Sequence, residues 1–420
     1  MIIKQKGTMD IYGAEAKKRK YVNDILHTIC DKFNYGYIDT PIFESSELFH
    51  RGIGDTTDIV SKETYDFKDR GGRSLTLRPE GTAGVCRWYV ENKLYGNQTE
   101  PIKVYYIGKM YRYDRPQLGR YREFNQFGVE MLGSNDIMAD LDVISLAYNT
   151  YNILGLKDVT ININTLGDQE SRDNYRTALT KYLKPYAKNL CPDCRERLSK
   201  NPLRVIDCKI DGENEVIKNA PITIDYLNKE SLTRYEKIKE NLDLMDIKYK
   251  ENFRLVRGLD YYDHTVFEIT AEVPEIGHLA LGGGGRYNGL INLLDGPSTP
   301  AVGFAMGYDR TVMAMEYSGF NFDLKEDIDV YVMYVSESEK ETAAFLTQEL
   351  RMNDFITETD YLDKSLKGEF KSADRLKAKF LVILNDEDLK NNEVNVKDNI
   401  TKEEKLININ ELVEYLDSNV

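Results

Sequence analysis

Between Ala14 and Phe33 the apolar residues Val22, Ile25, Leu26, Ile29 and Phe33 return at helical spacing, which predicts a helix burying one face, and Gly36 ends the run. A short strand is expected over Tyr37–Phe43; Pro41 within it suits an edge or interface, because proline has no N–H to give to a ladder. Two further strands, near Glu63–Phe67 and Ser74–Arg78, bracket the turn 69–72 and lead to a helix opening at Gly81-Thr82. Tyr105–Arg112 and Arg122–Leu132, rich in aromatic and β-branched residues, read as the arms of a hairpin whose link holds the turn formers Pro116 and Gly119. A helix over Asp136–Leu154, stopped by Gly155, precedes the alternation Val159, Ile161, Ile163. Residues 167–252 then become helical and rich in Lys, Glu and Asn, as an inserted module would be. Strand patterning resumes at Phe253–Thr270, runs through His278–Leu281 into Gly282–Gly285, and returns at Ala301–Met306 before a helix starting near Tyr308.

Past Asn321 the charged stretch 324–327 marks a boundary. Strand 328–335, helix 338–352, strand 355–361, helix 365–376 and strand 379–384 alternate, which implies βαβ units and parallel strands. The expected fold class is an α+β body built on an antiparallel β-sheet flanked by helices, with a helical insertion at 167–252 and a C-terminal α/β mixed-sheet domain. The first domain is expected to occupy residues 1–325 and the second 326–420.

A length of 420 residues suits two or three domains. The N-terminus is too poor in apolar residues for a signal peptide, and no run reaches the roughly 18 apolar residues of a membrane span. Five cysteines, an odd number, argue against a disulfide framework. A cytoplasmic protein without membrane contact is expected. The net charge of −14 excludes a generic cationic binder of nucleic acid, but screening beyond roughly 8–10 Å leaves room for a nucleic-acid partner held by local basic patches.

Polar groups stand where the hairpin should bury apolar ones. Strand alternation puts Arg122, Phe124, Gln126, Gly128 and Glu130 on one face, with Arg112 closing the other arm. Unpaired buried polar groups cost ~1–3 kcal/mol each, so such a face implies a polar, charged ligand more readily than packing. Arg112, Arg257 and Arg310 each sit at the end of an element; a cation in the first turn of a helix, as at Arg310, opposes the helix dipole. Guanidinium groups stay charged and bind phosphate oxygens in pairs, which suits displacement at phosphorus. Gly282–Gly285 lacks a following GK[ST], so a close backbone approach beside Tyr287 is expected rather than a P-loop. Cys191, Cys194 and Cys208 resemble part of a zinc site, but none of the four histidines supplies a fourth ligand, so structural thiols and no tightly bound metal are expected. His264 is read as a strand residue without a chemical step. Lys364, Lys367, Lys371 and Arg375 line one helical face opposite Leu366, Phe370, Ala373 and Leu376, forming a basic stripe.

The hairpin resembles motif 2 of the class II aminoacyl-tRNA synthetases, VGFAMGYDR at 302–310 resembles motif 3, and the helix with YIDTPIFE around Pro41 resembles motif 1. TLRPEGT at 76–82, LVRGLDYY at 255–262 and GGGRYNGL at 283–290 are similar to the histidyl-tRNA synthetase family in particular. The resemblance implies an ATP-dependent ligase, with Mg2+ accompanying the co-substrate ATP, that forms histidyl-adenylate and passes the histidyl group to tRNA(His). It also implies a homodimer through motif 1 and an anticodon-binding C-terminal domain. Arg112, Arg257 and Arg310 would be catalytic, and with Asp114, Arg120 and Phe124 would bind ATP. Glu80, Gly81, Thr82, Gln126, Glu130, Tyr261, Tyr262 and Tyr287, with Arg112 and Arg257, would bind histidine, Glu130 and Tyr262 reading the imidazole nitrogens. Arg115, Gln117 and Arg122 at the hairpin tip, and the basic stripe, would meet tRNA. As a regular strand, 253–262 would put Arg257 and Tyr262 on opposite faces and move the imidazole contact to Tyr261; Gly258 offers a bulge or turn that realigns them. Asp114 and Asp309 stand where the family more often has glutamate, shortening reach by a methylene, and Tyr308 is unusual at its place. The rival is a non-catalytic, synthetase-like regulatory subunit of histidine biosynthesis, which would lack the C-terminal domain and lose the arginines.

Overall fold

The computed structural model describes every residue except 55, 56, 98, 325, 326 and 420, so the boundary expected at 325–326 lies outside the described residues. The chain divides into two compact units, Met1–Phe322 and Asp323–Val420. In the first, helix α1 (Gly13–Lys32) buries Val22, Leu26, Ile29 and Cys30, the face its spacing predicts. The single strand expected over Tyr37–Phe43 is instead two, β1 (Gly36–Tyr37) and β2 (Phe43–Ser45). Pro41 between them has no N–H to donate, and the Thr40 carbonyl is taken by the buried Arg78 guanidinium rather than by a strand. Helix α2 (Ser46–Ile53) is followed by β3 (Tyr65–Lys68) and β4 (Ser74–Leu77), which form a small antiparallel sheet in the order β2-β4-β3. Helix α3 (Thr82–Glu91) then leads to the hairpin, β5 (Ile102–Tyr111) paired antiparallel with β6 (Glu123–Leu132).

Asp136 caps α4 (Ile137–Ile153), its carboxylate accepting from the Met138 N–H at 2.8 Å. Strand β7 (Thr160–Thr165) precedes five helices: α5 (Gln169–Leu183), α6 (Pro192–Lys200), α7 (Leu203–Ile206), α8 (Glu215–Lys218) and α9 (Lys229–Leu244). They carry a hydrophobic cluster of their own around Tyr175, Leu179, Leu183, Val205 and Ile217. Strand β8 (Tyr249–Glu251) returns to the sheet, followed by β9 (Asp263–Val273), β10 (Gly277–Arg286), the short helix α10 (Leu290–Leu293), β11 (Ala301–Gly307) and α11 (Tyr308–Tyr317). The strand expected from Phe253 therefore begins ten residues late, because 253–262 is a looped segment with turns. Gly282–Gly285, expected to follow a strand, lies within β10.

The resulting eight-stranded sheet runs β1-β5-β6-β11-β10-β9-β7-β8, antiparallel through its centre and parallel at the two outer pairs. Its alternate residues separate two faces. Phe127, Phe267 and Phe304 stack or meet edge-on with one another and with Tyr151 of α4, forming the core beneath the sheet. The opposite face carries the candidate site.

A buried charge cluster ties this body together. Asp140 of α4 and Arg286 of β10, both 0% exposed, bond at 2.7 Å, and Arg234 of α9 reaches the same carboxylate at 2.7 Å. Asp140→Ala would leave Arg286 charged and uncompensated, so a loss of about 3–5 kcal/mol is expected in urea unfolding. A change within 1 kcal/mol would show that the cluster is dispensable.

The second unit is a five-stranded mixed sheet built from β12 (Val330–Tyr334), α12 (Lys340–Met352), β13 (Thr357–Thr359), α13 (Leu366–Arg375), β14 (Phe380–Leu384), α14 (Asp386–Lys390), β15 (Glu393–Asp398), β16 (Glu404–Asn408) and α15 (Leu412–Asp417). The order is β13-β12-β14-β15-β16; the first three strands are parallel and the last two antiparallel.

Candidate active site

Strand register gives the upper face of the main sheet a floor of small residues. Tyr106, Gly128, Ala305, Gly283 and Glu268 lie opposite one another across five strands, so the three middle positions carry no more than a methyl group. The next row holds Glu130, Gly303 and Gly285. Side chains from surrounding elements fill the space left above them. A Cβ on Gly303 would stand 1.8 Å from Glu130 Oε2, and one on Gly283 would stand 2.7 Å from the Arg257 guanidinium carbon. The glycine run thus makes room for protein groups that define a pocket. Gly303→Ala is expected to push Glu130 aside. With Glu130 facing the amino acid, as the resemblance implies, the amino-acid KM should rise at least tenfold with little change for nucleotide; steady-state kinetics with each varied in turn would check it, and equal changes in both would contradict it.

Glu130 is the deepest charged group of this site, 1% exposed. Its carboxylate accepts from the Thr82 hydroxyl at 2.6 Å and from the Tyr287 hydroxyl. Burial, with Glu80 adding negative charge, pushes its pKa up to about 8 despite those bonds. Tyr261 and Tyr262 complete this wall, their rings 4.7 Å apart, with Tyr261 5.7 Å from Tyr287. Gln126 Oε1 accepts from the Gly81 N–H and from the Tyr106 hydroxyl, each at 3.2 Å. Tyr106 was not singled out from the sequence; its ring needs Gly81 and Gly128, where a Cβ would come within 2.2 and 2.3 Å of it. Glu80 has a local task besides any ligand contact: its two oxygens accept from the Thr82 and Ala83 N–H groups at 2.8 Å, capping α3.

The arginines gather at the other end. Arg112, just past β5, donates to the Pro79 carbonyl at 2.9 Å and lies 5.3 Å from the Phe124 ring centre. Arg310, in the first turn of α11, reaches the Gly119 carbonyl at 3.1 Å and that of Ala280 at 3.2 Å. Burial lowers the pKa of both guanidinium groups, and at Arg310 the positive charges of Arg120 and Arg112 lower it further. Several cations crowded into a partly desolvated space, two of them countered by Asp114 and Glu268, can receive a polyanion. Arg257 projects from the irregular segment 253–262, where strand parity does not apply. Its Nη1 bonds Glu268 at 2.7 Å, and Arg204 of α7 holds its carbonyl at 3.0 Å. Because the segment is not a regular strand, the condition for preferring Tyr261 over Tyr262 does not arise. Glu63 and Glu268 are the acidic neighbours of these cations that sequence reasoning missed. Burial raises the Glu63 carboxyl pKa while Arg112 opposes the shift.

Other expected ligand residues are already engaged. Asp114 pairs with Arg120 at 2.9 Å. Asp309 accepts from the Asn125 N–H at 2.7 Å and pairs with Arg19 of α1 at 2.7 Å, while the Tyr308 hydroxyl donates to the Arg19 carbonyl at 2.8 Å; the shorter acid and the unusual tyrosine join α11 to α1 and β6. Arg122 folds back over Tyr113, 3.9 Å from its ring centre, so Arg115 and Gln117 are the more extended groups at the tip. In the second unit Lys367, Lys371 and Arg375 are exposed on α13, as the stripe requires, while Leu366, Phe370 and Ala373 pack inward. Lys364 leaves the stripe: it precedes the helix and turns to Asp360 at 3.1 Å and Ser372 at 2.9 Å. Burial lowers the pKa of His264 to about 4, leaving it neutral.

The profile of the family described as histidyl-tRNA synthetase matches residues 7–311, and that of the anticodon binding domain matches 329–419. A histidine–tRNA ligase of Geobacillus sp. (strain WCH70) is 49% identical over 412 residues, covering 98% of this chain and 97% of the relative. One from Anoxybacillus flavithermus is 48% identical with the same coverage. The crystal structure of apo S. aureus histidyl-tRNA synthetase superimposes with a TM-score of 0.86 at 41% identity, covering 99% of this chain and 100% of that one. With the three arginines, the glycine floor and the buried glutamate in one pocket, these likenesses show that the chain belongs to the histidyl-tRNA synthetase family.

Proposed function

We propose that this chain is a class II histidine–tRNA ligase in which the carboxylate of L-histidine attacks the α-phosphorus of ATP, releasing pyrophosphate and leaving histidyl-adenylate. The terminal ribose hydroxyl of tRNA(His) then takes the histidyl group, and AMP departs. The observation that carries this reading is one pocket with a cluster of guanidinium groups at one end and a buried carboxylate flanked by hydroxyls at the other.

Each group has a task its surroundings support. Arg112, above Phe124, would span the α-phosphate and the substrate carboxylate. Arg257 would neutralise charge developing at phosphorus, and Arg310 and Arg120 would hold the β- and γ-phosphates. Phe124 would stack on adenine, with Arg310 on its other side and Asp114 at its edge. Glu130 and Tyr262 would read the two imidazole nitrogens, with Tyr261 and Tyr287 lining the slot; Thr82, Gln126 and the Gly81 backbone, with Glu80 behind them, would receive the ammonium group. Magnesium would arrive with the nucleotide, held chiefly by phosphate oxygens. Glu268 and Glu63 are the carboxylates beside the cations that fit it, and it would supply further charge neutralisation. Positioning and preorganised charge then account for most of the acceleration.

No helix among the described residues is long and apolar enough to cross a membrane, and a cytoplasmic homodimer fits this reading. Tyr37, Ile42 and Phe43 are exposed around Pro41, where motif 1 would meet a second copy. The rival regulatory subunit loses ground because Arg112, Arg257, Arg310 and the second unit are all present. Histidine-dependent exchange of labelled pyrophosphate into ATP, run across amino acids, tests the proposal. Exchange with histidine alone is expected, and exchange only with another amino acid, or none at all, would overturn it.

For tRNA, Lys367, Lys371 and Arg375 changed together to alanine should raise the tRNA KM about tenfold and reduce its salt dependence while pyrophosphate exchange is unchanged. An unchanged tRNA KM would remove the stripe from the interface.

A further inference from the structure

The reaction leaves one cluster of chemically capable side chains unused, in the helical segment between β7 and β8. One ligand atom from each of Cys191, Cys194, Cys208 and Asp211 lies within 4.8 Å of all the others. Cys194, Cys208 and Asp211 are buried, and Cys191 Sγ lies 3.8 Å from Cys208 Sγ. The group that joins the three thiols is a carboxylate rather than a histidine.

Two turns of equal spacing present the four groups. In Cys191-Pro192-Asp193-Cys194 the Cys194 N–H points at Cys191 Sγ over 3.4 Å. In Cys208-Lys209-Ile210-Asp211 the N–H groups of Ile210 and Asp211 point at Cys208 Sγ over 3.4 and 3.5 Å. The Cys191 N–H donates to Asp211 Oδ2 at 2.9 Å, joining the turns. Backbone donors aimed at sulfur favour thiolate, the form that binds metal, and act as the outer hydrogen bonds that orient metal ligands. Without a cation, a carboxylate and thiols with donors turned towards them would be gathered into an otherwise apolar cluster at a desolvation cost. With a divalent cation the set carries a net charge of −2, and nearby guanidinium groups offset part of it: Arg195 acts on Asp211, and Arg197, itself paired with Asp58 at 2.8 Å, acts on Cys194 and Cys208. Three sulfurs and one oxygen select a thiophilic cation that accepts tetrahedral geometry, which favours zinc over magnesium or calcium.

We propose that Cys191, Cys194, Cys208 and Asp211 bind one structural Zn2+. With all four positions filled by protein, it takes no part in chemistry as a Lewis acid. Its effect is mechanical. The chain between the two turns carries Asn201, which donates to Asp260 at 2.9 Å, and Arg204, which holds the Arg257 carbonyl. The metal closes the loop that braces the segment bearing Arg257 and Tyr262.

The test uses the full-length enzyme purified without chelator under reducing conditions. About one zinc per chain by plasma mass spectrometry is expected, and replacement by Co2+ should give a thiolate-to-cobalt charge-transfer band with the visible bands of a tetrahedral ion. Cys208→Ser should lose both. Asp211→Asn should keep the sulfur band while zinc affinity, measured against a competing chelator, falls at least about tenfold. Should Cys208→Ser fail to fold, the cobalt spectrum of the unaltered enzyme decides the matter. Far less than one zinc with no charge-transfer band, a Cys191–Cys208 disulfide in the reduced preparation, or bound zinc indifferent to Cys208 would each overturn the assignment.

Discussion

Arg257→Ala is expected to slow histidyl-adenylate formation by about 10³-fold, the range for removing one preorganised group that stabilises transition-state charge, while histidine affinity changes only a few-fold. The separation follows from how the residue is held. Its backbone is fixed by Arg204 at 3.0 Å, so truncating the side chain does not release the segment carrying Tyr261 and Tyr262. The guanidinium lies over Gly283, held by Glu268 at 2.7 Å and beside Tyr262, while the Glu130 carboxylate that would meet the imidazole is held separately by Thr82 and Tyr287. Single-turnover formation of adenylate, set beside histidine binding by calorimetry, measures both quantities. Arg257→Lys should recover part of the rate, because it restores a charge without the planar fork. If truncation reduced binding and rate by the same factor, Arg257 would be a ground-state ligand and its transition-state role would be wrong.

Long-period patterns were legible in the chain, and irregular ones were not. The face of α1, both arms of the hairpin and the strand-to-helix step at β11 follow from apolar spacing because tertiary packing agrees with local preference there. The segment 253–262 carries a strand-like composition, but its conformation is set by distant partners, Arg204 and Asn201. No periodicity contains those bonds. Strands β15 and β16 escaped notice because only Val394 and Val396 alternate in β15 against polar neighbours, and β16 is largely exposed. At the site, the arginines, Glu80, Glu130 and the glycine run of β10 could be named from the sequence; the acids Glu63 and Glu268 and the space-shaping Gly303 and Tyr106 could not. Gly303 matters because it pairs with Glu130 across two strands, and Tyr106 because it pairs with Gly128. Asp211 joins the three thiols only in space, although Cys208 and Asp211 repeat the spacing of Cys191 and Cys194.

Glu130→Gln should stabilise the empty enzyme at alkaline pH while lowering histidine-dependent exchange by a factor on the order of 10³, as expected when one partner of a buried charged pair is removed. The sign follows from the raised pKa. Burial, and then the negative charge of Glu80, lift the Glu130 carboxyl from the usual 4.5 to about 8, so the fold favours the protonated acid. Its contribution to stability is complete below the unfolded pKa and is lost as pH rises to the folded one, at ~1.4 kcal/mol per pH unit within that window. Thr82 and Tyr287 donate to different oxygens of Glu130. Glutamine is neutral throughout and keeps a carbonyl oxygen for one of them, while the hydroxyl at the other position must turn to accept from the amide NH2, so the variant loses this slope and keeps a polar partner for each hydroxyl. It also loses the carboxylate that an imidazole N–H would meet, and with it the gain that offsets the cost of an ionised group in the occupied pocket. Urea unfolding at about pH 5 and about pH 8 measures the first effect, and pyrophosphate exchange the second. Parallel stability slopes for the two proteins would refute the buried-acid account. Retained exchange would refute the assignment of Glu130 to imidazole recognition, since a side chain that merely packs against Gly303 would tolerate an isosteric amide.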